Sequence, residues 1–275
     1  MNGHEFVTAL HEDRRVYGTM IVSHSPEWPA AVQQAGLDFV FIDMEHVALD
    51  RSQISWMCRT YSALGLAPIV RIPNPDPYQA SMVLDGGAEG VIAPYVESPQ
   101  EVRSMSGAVK YKPLKGRRLN RILQGDEVME PELHQFLEGE NKDRSLIVNI
   151  ESVPAVEALD EILAVPGLDA VLIGPHDLSI SLGIPLQYDH PRFVGAVDAI
   201  IRKARAARVG AGLHAMYPDP LQQEIRWAGL GANLIVHGAD ILAFRCAMQK
   251  DIRMLREALG DRQEKEMARR DHPHF

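Results

Sequence analysis

At 275 residues, with apolar side chains forming 46% of the chain in an even spread and no linker between them, the sequence fits one large α/β domain with a continuous core better than two small ones. The formal net charge of -9 excludes generic binding to nucleic acid or anionic membrane, which needs clustered Lys and Arg, and points to a small or metal-bridged substrate. Cys58 and Cys246 lie in apolar helical contexts, so neither a disulfide framework nor a Cys-based zinc site is indicated; with no signal-like start and no run of membrane length, a soluble, unprocessed cytoplasmic protein is expected.

Apolar runs bounded by turn residues predict a first strand over 16–23 and a helix over 27–35. The second strand, 37–43, carries most information: Leu37-Asp38-Phe39-Val40-Phe41-Ile42-Asp43-Met44-Glu45-His46 is a buried run that ends in two carboxylates and an imidazole. Asp43 and His46 are spaced so that the carboxylate can hold one ring nitrogen and leave the other free as a base, a satisfied structural histidine being the plainer alternative. A helix over 49–63 leads to a third strand over 67–72, where Arg71 ends an apolar run and therefore needs a partner. A helix over 77–86, a strand over 90–94 and a helix over 98–110 follow.

A long connection then opens with the basic phrase Tyr111-Lys112-Pro113-Leu114-Lys115-Gly116-Arg117-Arg118 and continues through an acidic amphipathic piece from Asp126 to Glu140. Its basic cluster either meets an anionic substrate or a neighbouring subunit, or is simply solvated. The fifth strand, 146–151, delivers Glu151 at its end, and a helix over 153–163 follows. The sixth, 169–174, runs into the tight turn Gly174-Pro175-His176-Asp177. A helix over 191–208, a strand over 209–214 ending in His214, a helix over 219–229 and a strand over 232–237 ending in His237 complete the repeat. After a helix over 240–259, the charged stretch from Asp261 to Phe275 is expected to be a poorly ordered tail outside a domain spanning 1–260.

Eight strand-then-helix units, with no Gly-rich dinucleotide fingerprint after the first strand, predict a single-domain (β/α)8 TIM barrel of the α/β class. In such a barrel the strand ends share one mouth. Glu151 and Asp177, from adjacent strands, then converge as two carboxylates suited to Mg2+, Mn2+ or Co2+ with water and substrate completing the shell; the alternative is a structural ion pair to Arg71. No Ser or Cys sits in a nucleophile elbow and no Lys ends a predicted strand, which argues against covalent and Schiff-base chemistry.

Four phrases carry a resemblance to a known family: Phe41-Ile42-Asp43-Met44-Glu45-His46, Pro68-Ile69-Val70-Arg71, Asn149-Ile150-Glu151-Ser152 and Gly174-Pro175-His176-Asp177-Leu178-Ser179-Ile180-Ser181-Leu182-Gly183. In that order they resemble the HpcH/HpaI family, the metal-dependent class II pyruvate aldolases of the 4-hydroxy-2-oxoheptanedioate and 2-dehydro-3-deoxyglucarate aldolase type, from about Val16 to Met254. The resemblance implies a barrel, commonly hexameric, with its last helix exchanged between partners. It further implies that Glu151 and Asp177 hold the metal, that Arg71 stabilises an enolate oxygen, and that His46, oriented by Asp43, handles protons. The turn of Gly174, Pro175 and His176 would seat the substrate carboxylate, and Glu45 would serve metal-bound water or Arg71. The implied reaction is cleavage of a 4-hydroxy-2-oxo acid to a 2-oxo acid such as pyruvate and an aldehyde, or its reverse.

The chain departs from that pattern in the basic phrase, where Arg117 persists while the glycines move, and in carrying His214 and His237 where such aldolases tend to be aliphatic. Both imidazoles are expected at the mouth as substrate-binding groups. Competing readings are another enolate-forming lyase, such as a CoA-ester lyase or a decarboxylase, and a non-catalytic barrel that binds a 2-oxo acid.

Overall fold

Every second residue of each strand turns inward, and this alternation decides which side chains reach a common site. In the computed structural model, which describes residues 1–217 and 220–261, the strands are β1 (Val16–Ile21), β2 (Phe39–Asp43), β3 (Ala67–Arg71), β4 (Gly90–Ala93), β5 (Ser145–Ile150), β6 (Ala170–Ile173), β7 (Gly210–Ala215) and β8 (Leu234–Ala239). Each pairs in parallel with the next, and β8 pairs with β1, closing the expected TIM barrel. Met20, Phe41, Ile69, Ile147, Leu172 and Val236 fill the interior. Their neighbours Ile21, Val40, Val70, Val148 and Ile173 face the helices. Both faces are apolar because both are covered, so the strands read as continuous hydrophobic runs. Gly18 leaves room for a large neighbour: a Cβ there would stand 2.5 Å from the Phe39 ring.

The helices are α1 (Gly3–His11), α2 (Trp28–Gln33), α3 (Arg51–Ala63), α4 (Pro77–Gly86), α5 (Pro99–Lys110), α6 (Gly116–Gln124), α7 (Pro131–Asn141), α8 (Val153–Glu157), α9 (Leu159–Leu163), α10 (Pro175–Ser181), α11 (Pro191–Ala206), α12 (Leu221–Gly229) and α13 (Asp240–Leu259). Besides α10, which stands where a tight turn is expected, three features differ from the sequence reading. The expected helix over 153–163 is two short ones that meet at Ala158. The long connection between β4 and β5 holds α6 and α7. Within it Lys112 pairs with Asp85 at 2.5 Å, and Arg118 pairs with Glu127 at 2.8 Å and with Glu130, so much of the basic cluster is neutralised locally. The charged tail, beyond Asp261 itself, lies outside the described residues.

The third difference is α1, which the strand count passed over. Asn2 and Glu5 form a capping box at its start, satisfying two otherwise orphaned N–H groups. Its inner face buries Phe6, Ala9 and Leu10 against the barrel interior, with Phe6 edge-on to Phe39 at 5.0 Å between ring centroids. Because α1 packs against β1, β3 and β5, it plugs the amino end of the barrel. His11 clasps it there: Nε2 lies 3.0 Å from Asp169 Oδ1 and Nδ1 lies 3.1 Å from the Arg208 carbonyl. Two acceptors are satisfied together only by the imidazolium.

At the other end of the chain, α13 buries only Asp240, whose carboxylate accepts from the N–H groups of Val22 and Ser23. Ile241, Phe244, Met248, Ile252, Leu255 and Leu259 recur every three or four residues and are exposed. Cys58 and Cys246 are both free, and burial pushes the Cys58 thiol up to about 12. Among the described residues no helix is long and apolar enough to cross a membrane.

The hydrogen bond to Asp169 raises the pKa of His11 above its ordinary 6.5, with burial opposing. The folded state thus holds the proton more tightly than the unfolded chain. The clasp contributes fully below pH 6.5 and fades as pH rises through the shifted value. Urea unfolding of wild type and His11→Ala should therefore differ most in mildly acidic buffer and converge in alkaline buffer; a pH-independent difference would deny the charge a role.

Candidate active site

Four of the expected strand ends meet at the carboxyl mouth of the barrel. The register of β2 and β3 places Asp43 directly opposite Arg71. Both point inward, and the guanidinium bonds the carboxylate bidentately, Nε to Oδ1 at 2.8 Å and Nη2 to Oδ2 at 2.9 Å. The Glu45 N–H also donates to Asp43 Oδ1, at 3.0 Å. Burial by itself would raise the pKa of Asp43, but the bonds and charge of Arg71 hold it below the usual carboxylate range. Below the pair, the Phe41 ring lies 5.1 Å from the guanidinium carbon.

This geometry corrects the expected partnership of Asp43 with His46. Strand register commits both Asp43 oxygens to Arg71, and the acid beside His46 is Glu45, with Oε1 3.5 Å from Nε2. Glu45 Oε2 is 3.0 Å from Arg71 Nε but, buried, receives no hydrogen bond, because that N–H is directed at Asp43. His46 itself stands half exposed at the rim.

Glu151 follows β5 and is buried. Its Oε1 accepts from the Tyr95 N–H at 2.8 Å and its Oε2 from Asn149 Nδ2 at 2.9 Å. Gly174 faces it closely: a Cβ on residue 174 would lie 2.5 Å from Oε2. Asp177, half exposed, lies in the first turn of α10, and His176 beside it is also half exposed, with Nδ1 3.8 Å from Asp177 Oδ1. Burial raises the pKa of Glu151 to about 7; the Tyr95 N–H opposes this, and the charges of Asp177 and Glu45 add to it. Asp43, Glu45 and Glu151 thus all act by charge on the guanidinium of Arg71, and Asp177 adds its negative charge beside Glu151.

A cation fits such a place. Among the described residues no three His, Cys, Asp or Glu side chains form a closed metal cage. Two carboxylates that leave positions for water and substrate are the donor set of a hard divalent ion rather than of structural zinc.

Two residues at the mouth escaped the sequence reading. Asn149 sits two before Glu151 and so shares its inward face; its Oδ1 is buried without a hydrogen-bond partner. Tyr95 lies just past β4 with φ 54, a left-handed conformation uncommon outside glycine, which presents its N–H to Glu151. Period-2 counting back from Glu151 finds Asn149, whereas nothing local announces Tyr95.

The two extra imidazoles part company. His214 is on the inward face of β7, edge-on to Phe41 at 5.2 Å, with Nε2 3.0 Å from the Gly238 carbonyl. Burial pushes its pKa down to about 4, and the charge of Arg71 adds to this, so the ring is neutral. His237 follows the inward Val236 and so leaves on the outer wall, where Nδ1 is 2.8 Å from Glu224 Oε2 on α12. The expectation that His237 reaches the mouth is corrected by the pleat of β8.

A family model described as HpcH/HpaI aldolase/citrate lyase matches residues 17–244. A 2-keto-3-deoxy-L-rhamnonate aldolase from Shigella boydii serotype 4 (strain Sb227) is 31% identical over 222 residues, covering 81% of this chain and 82% of the relative. Among solved structures, an HpcH/HpaI aldolase from Desulfitobacterium hafniense DCB-2 superposes with a TM-score of 0.77 at 29% identity, over 91% of this chain and 96% of that one. An HpcH/HpaI aldolase/citrate lyase family protein from Burkholderia cenocepacia J2315 gives 0.78 at 26% identity, over 92% and 99%.

The Gly174 contact makes a local prediction. Gly174→Ala should displace the Glu151 carboxylate and weaken binding of Mn2+, followed by calorimetry, by about tenfold or more while thermal unfolding changes little. Unaltered Mn2+ affinity would show that Glu151 does not depend on the missing side chain.

Proposed function

The chain belongs to the HpcH/HpaI aldolase/citrate lyase family, a family of carbon–carbon lyases, and on that premise we propose that it cleaves a 4-hydroxy-2-oxo acid to pyruvate or a related 2-oxo acid and an aldehyde, and catalyses the reverse addition. The observation that carries this reading is the excess of buried carboxylate beside Arg71 at the mouth. Glu151 and Asp177 would hold a divalent ion, Mg2+, Mn2+ or Co2+. When bound, such an ion supplies Lewis acidity toward the oxygens of a 2-oxo acid.

The side chains do the rest. Arg71, fixed by Asp43, offers a preorganised cation to the C2 oxygen as negative charge develops there. His46 takes the proton of the C4 hydroxyl in cleavage and returns one in addition, with Glu45 beside it in support of the imidazolium. The turn at Gly174 and Pro175 seats the substrate carboxylate next to Glu151, and His176 borders that seat. The relative's acid, 2-keto-3-deoxy-L-rhamnonate, belongs to the same broad class of 2-oxo acids. A CoA-ester lyase is the weaker reading, since Lys112 and Arg118, which would have met nucleotide phosphates, are already paired with Asp85 and with Glu127 and Glu130.

We also propose a homo-oligomer, a hexamer by family likeness, in which a second copy covers the apolar stripe of α13, exchanging that helix between subunits. Location in the cytoplasm agrees with the two free thiols.

Purified protein supplied with Mg2+, Mn2+ or Co2+ should release a 2-oxo acid from a panel of 4-hydroxy-2-oxo acids and lose that activity in chelator. Glu151→Gln and Asp177→Asn should each lower kcat/KM by about 10³ or more, and Arg71→Lys by about 10². A panel with no metal-dependent turnover would remove the reading. For the assembly, light scattering of Phe244→Asp with Leu255→Asp should report a smaller species than wild type, and an unchanged mass would reject α13 as the contact.

A further inference from the structure

Tyr95 holds a conformation that folding alone does not explain. Its φ of 54 is left-handed, a region that crowds any Cβ and that glycine adopts without strain. A large side chain in such a place is normally anchored by burial, as its neighbours are: Ala93 is 0% and Val96 1% exposed. Tyr95 is 49% exposed. The N–H that meets Glu151 Oε1 at 2.8 Å belongs to the backbone and needs no side chain. Position 95 thus uses the conformation of a glycine yet carries a half-exposed aromatic ring at the mouth. Strain kept beside a reactive group points to a task for the residue that bears it.

The phenol lies beside Glu45, and a hydrogen bond to that carboxylate raises its pKa, with burial and the charges of Glu151 and Asp177 adding. Glu45 is also the acid next to His46, with Oε1 3.5 Å from Nε2. Phenol and imidazole therefore flank one carboxylate. The C4 oxygen of the substrate has to come within reach of His46 to exchange its proton, and this brings it to the same corner. A hydroxyl turns freely about its bond to the ring, so an O–H that rests on Glu45 in the free protein can be redirected to a ligand oxygen. We propose that Tyr95 contacts the aldehyde half of the substrate, its O–H donating to the C4 oxygen and its ring forming the wall on which the remaining carbons of the aldehyde lie. This rests on the lyase reading and gives that site a group for the acceptor. The phenol keeps its own proton throughout; in addition, the proton taken up by the aldehyde oxygen comes from His46. A fixed donor aimed at an oxygen on which charge develops favours the transition state over the ground state.

The test is the addition of pyruvate to glycolaldehyde in Mn2+, each substrate varied in turn, beside calorimetry of Mn2+ binding and the thermal midpoint. Tyr95→Phe should lower kcat/KM for glycolaldehyde by about tenfold or more, while KM for pyruvate and the affinity for Mn2+ stay within about twofold of wild type. Tyr95→Gly, which keeps the N–H on Glu151 and relaxes the backbone, should lose more activity yet melt about 2 °C higher. Activity and stability that move in opposite directions are not the result of a merely structural role. An unchanged kcat/KM for glycolaldehyde in Tyr95→Phe overturns the inference. A fall in Mn2+ affinity that matches the fall in activity also overturns it, since the effect would then run through Glu151, and so does a lower melting midpoint in Tyr95→Gly. In each of these cases the lyase stands. No addition by wild type overturns the lyase reading and takes this inference with it.

Discussion

A guanidinium inside a hydrophobic barrel has few places to go, and the mouth is built around that fact. Arg71 ends a strand of apolar residues, lies over Phe41 and is almost entirely buried, so its charge is tolerable only because Asp43 answers it with both oxygens. Removing one member of such a pair leaves an uncompensated buried charge and costs about 3–5 kcal/mol. The register of β2 against β3 sets the two residues side by side, and the pair in turn fixes where the chain turns out toward Glu45 and His46. Structure and chemistry converge on one contact: a cation held this firmly needs no rearrangement to meet a developing negative charge.

The same mouth treats two carboxylates in opposite ways. Asp43 is buried with a cation and stays ionised; Glu151 is buried among other acids and is pushed up to about 7. Neighbouring groups of one chemical type with divergent proton affinities mark a division of labour. On the proposed reading one acid serves the protein's own cation and the other waits for an exogenous one. Hydrogen bonds from Tyr95 and Asn149 aim the two oxygens of Glu151 but bring no positive charge to them.

Much of this was legible in the sequence. The strand-helix rhythm and the residues that close the strands, Asp43, Arg71 and Glu151, announced both the barrel and the place where its polar groups gather. The facing of individual residues was less legible. A strand buried on both sides has no polar face from which to count, so His214 and His237, each near the end of an apolar run, looked alike; they differ in parity against their own pleats, which only register reveals. Asp43 was assigned to His46 because the two are close in the chain, while its partner came from the next strand. The helix α1 did leave a signal, Asn2 followed three residues later by Glu5, but its amphipathic face covers little more than two turns and its burial depends on a barrel bottom that no local pattern describes.

That helix has a kinetic consequence. With α1 seated across one end and the interior filled by side chains, the described residues leave the barrel one doorway, at its carboxyl mouth. A ligand lodged against Arg71 lies behind anything that binds at the half-exposed rim near His46. On the proposed reading the 2-oxo acid must therefore enter before the aldehyde and leave after it. Ordered traffic, with the second partner queuing behind the first, follows from having closed one end of the tube.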